Sequence, residues 1–171
     1  MERHQDSNAA ERERGNGSGE ADCPFCHLPG ERIIAENALA VAVRDRFPVT
    51  SLHTLIIPRR HVSSYFNLTG QEQAACRRLL FRMHQEILSQ DGSIAGFNVG
   101  INIGAAAGQT IWHCHIHLIP RRHGDVVNAR GGVRHVIPDK GYYPSDPPAG
   151  GEESRDEEPP GDHDRPGRLS I

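Results

Sequence analysis

Residues 104–121 read GAAAGQTIWHCHIHLIPR, and the three alternate histidines within them, His113, His115 and His117, are the side chains of this protein best suited to chemistry. Imidazole is nucleophilic and passes protons near neutral pH, and one ring nitrogen can be held by a neighbour while the other reacts. In an extended strand, residues two apart share a face, so the rings form a row spaced by about 6.5–7 Å. Cys114, Ile116 and Leu118 then turn to the core. Such a row serves as a nucleophile with its orienting partners, or as a metal site on which alternate histidines converge. The small residues of the preceding loop, 104–110, let backbone N–H groups approach an oxyanion, and Gln109 and Thr110 add side-chain donors. Asn102 offers a further amide. A second constellation is Cys23-Pro24-Phe25-Cys26, whose spacing lets both sulfurs reach one tetrahedral metal. That pair is half a site; a redox pair and two buried thiols are the competing readings.

These residues need elements to hold them. Residues 38–43 (ALAVAV) and 54–57 (TLII), the latter stopped by Pro58, have the composition of strands. Thr69-Gly70-Gln71-Glu72 is a capping box, and the helix it opens carries Cys76, Leu79, Leu80, Met83, Ile87 and Leu88 on one stripe before Asp91-Gly92 ends it. Residues 97–103 (FNVGINI) and 113–119 (HCHIHLI), stopped by Pro120, are expected to be strands. Strands around one long helix imply an α+β domain with a mostly antiparallel sheet. His27, His84, His123 and His135 are expected to be solvated or locally bonded.

Of the 171 residues, 36% are hydrophobic and only 5% aromatic, so much of the chain is not core. Residues 1–22 carry a net charge of -3 and residues 151–171 a net -4, which leaves a body of +4. Residues 1–22 and the proline-rich acidic residues 144–171 bury too little apolar surface to order themselves, which places the folded domain at 23–143. No apolar run is long enough to span a membrane, no secretory signal precedes the domain, and four cysteines are too few for a disulfide scaffold. A cytoplasmic protein is expected. Its basic body suits an anionic small molecule or nucleic acid, charge alone deciding neither; no specific nucleic-acid partner is expected.

The histidine row and its loop resemble the signature of the histidine triad family. The likeness covers most of residues 23–125 and includes CPFC at 23–26, Asp45 after ALAVAV, and LHTLIIPRRH at 52–61. HCHIHLIPRRHGD is most similar to the fragile histidine triad branch of dinucleoside polyphosphate hydrolases. The resemblance implies a five-stranded, mostly antiparallel sheet with a long helix, and a homodimer. It implies His115 as nucleophile on the α-phosphate of a dinucleoside polyphosphate or nucleoside phosphoramidate, with His117, His53 and His113 handling protons. Asp45 falls on the ribose position, and Asn102, Gly108, Gln109, Thr110, His115 and His117 on phosphate-binding ones. Cys23, Cys26, His61 and His113 match the structural zinc set of family members that have CxxC. One departure is Leu52, where the family has glycine before the histidine matched by His53. The alternatives are a non-catalytic purine-nucleotide-binding scaffold and a metal-dependent hydrolase with the row as ligands.

Overall fold

A computed structural model describes residues 19–143; the rest of both tails lies outside the described residues. Glu20–Asp22, placed with the N-terminal tail by composition, form a 3-10 turn ahead of Cys23. Five antiparallel strands make one sheet: β1 (Ile33–Glu36), β2 (Ala40–Arg44), β3 (Thr54–Pro58), β4 (Ile94–Gly100) and β5 (Ile116–Arg122), in the order β1-β2-β3-β5-β4. The helix α1 (Gly70–Gln90) packs across β2 and β3. The expected α+β architecture holds.

β2 and β3 read as unbroken apolar runs because both faces are covered. Ala40, Ala42 and Ile56 meet Ala75, Cys76, Leu79, Met83 and Ile87 of α1, while Val41, Val43, Leu55 and Ile57 pack against Phe25, Leu28 and Ile33. The helix stripe is narrower than expected: Leu80 is only partly buried and Leu88 is exposed, each rotated about 100° from the residue before it. Both halves of the capping box form. Glu72 N–H donates to Thr69 Oγ1 at 3.3 Å, and Thr69 N–H donates to Glu72 Oε2 at 2.8 Å. Arg60 clamps the same carboxylate in a two-pronged bond, which with the cap holds its pKa down at about 2.

The strand bounds differ from expectation, β2 covering 40–44 rather than 38–43 and β3 reaching Pro58 rather than residue 57. β1 is too short to stand out in the sequence. β4 begins at Ile94 rather than Phe97 and stops at Gly100, so Asn102 lies in the loop beyond it. β5 begins at Ile116 and runs through Pro120 to Arg122, so His113 and His115 precede the strand. Pro120 is tolerated because the β3 ladder ends at Leu118, leaving a neighbour on one side only. Pro58 likewise lies within β3, paired with Ala40 but beyond the β5 ladder.

Candidate active site and metal centre

Only His117 of the three alternate histidines is held by strand pairing. It lies opposite Leu55 of β3 and Gly100 of β4, on the sheet face away from α1. His113 and His115 are held by the extended segment before it, which Cys114 N–H ties to Val62 O at 2.6 Å. The rings stay adjacent, with the His115 and His117 centroids 5.0 Å apart. His115 is buried, its Nδ1–H donates to the carbonyl of His113 at 2.7 Å, and Phe25 packs edge-on against its ring. With Nδ1 committed as a donor, Nε2 keeps its lone pair, and it has no hydrogen bond within the described residues.

His117 Nδ1 and His53 Nε2 are 3.0 Å apart, and His53 Nδ1 lies 3.4 Å from Asp45 Oδ2. Asp45, His53 and His117 therefore form one continuous chain, with the His115 ring packed edge-on against its end. Burial, reinforced by His115 and His53, pushes the His117 pKa down to about 4, so the ring is neutral at pH 7. Burial also lowers that of His53, against the opposing pull of Asp45. His117 Nε2 is buried and has no partner among the described residues.

His113 is turned elsewhere. Its Nδ1 lies 3.4 Å from Cys23 Sγ and 3.5 Å from Cys26 Sγ, and Cys26 Sγ lies 3.2 Å from His61 Nδ1. These four residues converge on a point and could hold a metal ion. His113 Nε2–H donates to the Pro58 carbonyl at 2.8 Å, which fixes the tautomer with a bare Nδ1 facing the sulfurs. This corrects the expectation that His113 joins the proton relay, since neither of its nitrogens reaches His53 or His115.

The loop before the histidines also differs from expectation. Gln109 is buried; its Oε1 accepts from Gly104 N–H at 2.8 Å, and its Nε2 donates to the carbonyls of Ser63 and Ile111. The amide braces the loop instead of facing a phosphate. The Gly108 N–H donates to Ala105 O, so this glycine serves by its left-handed conformation (φ 80°) rather than as a donor. Thr110 remains exposed, and Asn102 borders a cavity of about 650 Å³ on the open face beside His53 and His117.

A HIT domain model matches residues 30–124. The chain belongs to the HIT domain family. It is 37% identical over 90 residues to an uncharacterized HIT-like protein of Synechococcus elongatus, covering 53% of this chain and 78% of that protein. It is 34% identical to adenylylsulfatase HINT3 of Arabidopsis thaliana (66% of this chain, 59% of that protein) and 31% identical to AP-4-A phosphorylase of Mycobacterium tuberculosis (72% and 66%). Among solved structures, a zinc-bound histidine triad family protein of Mycobacterium smegmatis superposes with a TM-score of 0.57 at 30% identity, covering 64% of this chain and 82% of that one.

At the position where the HIT family carries glycine, Leu52 adopts φ 69° and packs its side chain against the helix-side core. Arg44 Nη1 and Thr54 Oγ1 both donate to the Leu52 carbonyl, and Arg44 also reaches Gln90 of α1. Arg44 is thus a partly buried strut under His53. Asn98, Val133, His135 and Val136 also line the cavity. The last three come from a segment after β5 whose sequence shows no strand or helix periodicity, so nothing in it pointed to the site.

Proposed function

We propose that this protein hydrolyses a nucleotide at its α-phosphate, across a phosphoanhydride or phosphoramidate bond, through a nucleotidyl intermediate on His115. The observation that carries this is the His115 tautomer: Nδ1–H is spent on the His113 carbonyl, so the free Nε2 is the nucleophile. A bond forms from Nε2 to phosphorus as the bond to the leaving group breaks with its electron pair. His117, neutral before substrate binds, takes up a proton from solvent beside the anionic phosphate, and the leaving group takes that proton from its Nε2. In the second step water attacks phosphorus, gives a proton back to His117, and the histidine–phosphorus electrons return to the ring. The products are a nucleoside monophosphate and the protonated leaving group. The Asp45–His53–His117 chain suits one residue to both duties, because Asp45 offsets the charge of a His117 imidazolium and the same Nε2, once bare, accepts the proton of water. Thr110 and Asn102 hold the phosphate oxygens, and Asp45, still 17% exposed, keeps an edge for a ribose hydroxyl.

The metal-dependent alternative fits less well, because the three Nδ1 atoms aim at three different partners: the cysteines, a carbonyl and His53. The Cys23, Cys26, His61 and His113 cluster fits structural zinc. Bond lengths of 2.3 Å to sulfur and about 2.05 Å to nitrogen in a tetrahedron place those atoms about 3.6 Å apart, close to the 3.2–3.5 Å seen here. When bound, the ion supplies cross-linking between the N-terminal turn, the end of β3 and the histidine segment. Its effect on chemistry is indirect, since His113 is the residue whose carbonyl orients His115.

The test is His115→Ala assayed with a dinucleoside polyphosphate and a nucleoside phosphoramidate, alongside nucleoside monophosphate binding. Turnover is expected to vanish while binding stays measurable. Undiminished turnover would remove His115 as the nucleophile, and a wild-type protein that binds but never turns over would favour the scaffold reading.

A further inference from the structure

Residues 46–51, the loop that delivers His53 to the site, include no buried residue, and Phe47 and Val49 are 81% and 73% exposed. Core packing therefore does not hold this loop, and its polar bonds must. Most of these are local. Phe47 N–H donates to Asp45 Oδ1 at 2.8 Å, His53 N–H donates to the Thr50 carbonyl at 3.1 Å, and Val49 N–H points at His53 Nδ1 from 3.4 Å. Among the described residues, one hydrogen bond ties 46–51 to a distant part of the chain: Arg122 Nη1–H donates to Thr50 Oγ1 at 2.8 Å.

Arg122 is the last residue of β5, the strand that carries His117. Its other arms reach the end of α1. Nη2–H donates to Asp91 Oδ2 at 2.6 Å, and Nε lies 3.2 Å from both Asp91 Oδ2 and Ser93 Oγ. Bonds from Ser93 and then from Arg122 hold the Asp91 carboxyl down at about 2, so this anchor is charged at neutral pH. Asp91 is itself fixed, because its N–H donates to the Ile87 carbonyl in the last turn of the helix. A planar guanidinium holds several such acceptors at once through its rigid fork, which an ammonium lacks. Arg44 fastens the loop a second time, joining the Leu52 carbonyl to Gln90. Two consecutive residues at the end of α1 thus brace the chain at Thr50 and at Leu52.

We propose that Arg122 is a positioning residue for His53: by fastening Thr50 to the end of α1, it fixes the loop so that the His53 ring stays within hydrogen-bonding reach of His117. The kinetic consequence rests on the hydrolase reading above; the geometric one does not. Arg122 does not line the cavity beside His53 and His117, so its influence passes through the loop.

Thr50→Val tests this, because it removes the hydroxyl and leaves Arg122 paired with Asp91. With a dinucleoside polyphosphate or a nucleoside phosphoramidate, kcat should fall about tenfold with KM little changed, short of the roughly hundredfold that a displacement of about 1 Å can cost. Thr50→Ser should restore it. Arg122→Gln should match Thr50→Val, and the two together should lose no more than either alone, as partners in one bond do. Thr50→Val added to His53→Ala should likewise lose nothing further. Additive losses, or an unchanged kcat in Thr50→Val, would overturn the proposal. NMR of the ring nitrogens supplies a readout that needs no turnover. The proton between His53 Nε2 and His117 Nδ1, 3.0 Å apart, should give a protected signal in wild type and Thr50→Ser that is lost in Thr50→Val and Arg122→Gln. An unchanged signal in both of those variants would overturn the positioning role. Absence of turnover by wild type would remove the hydrolase reading alone and leave the ring signal to decide the positioning.

Discussion

Leu52 occupies the turn that precedes His53. Glycine suits the turn before it because glycine enters left-handed conformations without steric cost. Leu52 holds the same conformation at φ 69° and offsets the strain by packing against the core. A left-handed L-residue costs about 1–2 kcal/mol. Partial burial of a leucine returns about 1 kcal/mol, part of what full burial gives. Leu52→Gly should therefore change stability by no more than about 1 kcal/mol in urea unfolding, with the relief of strain set against lost packing and added chain entropy. Leu52→Ile should destabilise more, because β-branching is poorly accommodated at positive φ. A large loss in Leu52→Gly with none in Leu52→Ile would contradict this account of the turn. At this scale the sequence was most legible for the alternate histidines and the cysteine pair, whose types and spacing carry the chemistry. It was least legible for Gln109 and His113, because whether a donor faces a ligand or its own backbone depends on carbonyls that no pattern encodes.

Among the elements, α1 was legible from its cap to its last turn, since the capping box and the three-four spacing are local signals. The strands were legible in kind but not in extent. Prolines 58 and 120 read as stops and yet lie inside β3 and β5, because a proline is excluded only where a partner needs its N–H. The helix start also predicts a pH dependence. The Glu72 carboxyl has a pKa of about 2 in the folded protein, against 4.5 for the free group. Between those values the unfolded chain binds more protons, so stability rises with pH; the contribution is complete above 4.5 and is lost as the solution is acidified toward 2. Glu72→Gln should be less stable than wild type at neutral pH, and the gap should narrow as pH falls from 4.5. A gap independent of pH would show that the Arg60 and Thr69 bonds to this carboxylate contribute nothing.

For the whole molecule, one constellation links distant stretches of chain. Cys23 and Cys26 precede the sheet, His61 follows β3, and His113 opens the segment that carries His115. A bound ion would fasten these together, and its removal should loosen the fold rather than stop a metal-borne reaction. Treatment with a strong chelator should release one zinc per chain, read by elemental analysis, and lower the thermal midpoint. Cys26→Ser should carry less zinc and melt at a lower temperature before any chelator is added. Equal melting with and without chelator would argue against a structural ion. The open-face cavity was hidden from the sequence, because its wall comes from a loop-rich segment brought back over β4 only in three dimensions. Among the described residues no helix is long and apolar enough to cross a membrane. β4 and β1 are the sheet's edges, and Val99 on β4 is exposed.

The most direct measurement is acid- or base-quenched turnover of a labelled nucleotide substrate, followed by peptide mass spectrometry of the protein. The account requires a nucleotidyl group on the peptide containing His115, attached to that ring and absent from His115→Ala. Label found on another residue, or hydrolysis proceeding with no adduct under conditions where a phosphorus–nitrogen bond survives the quench, would contradict it.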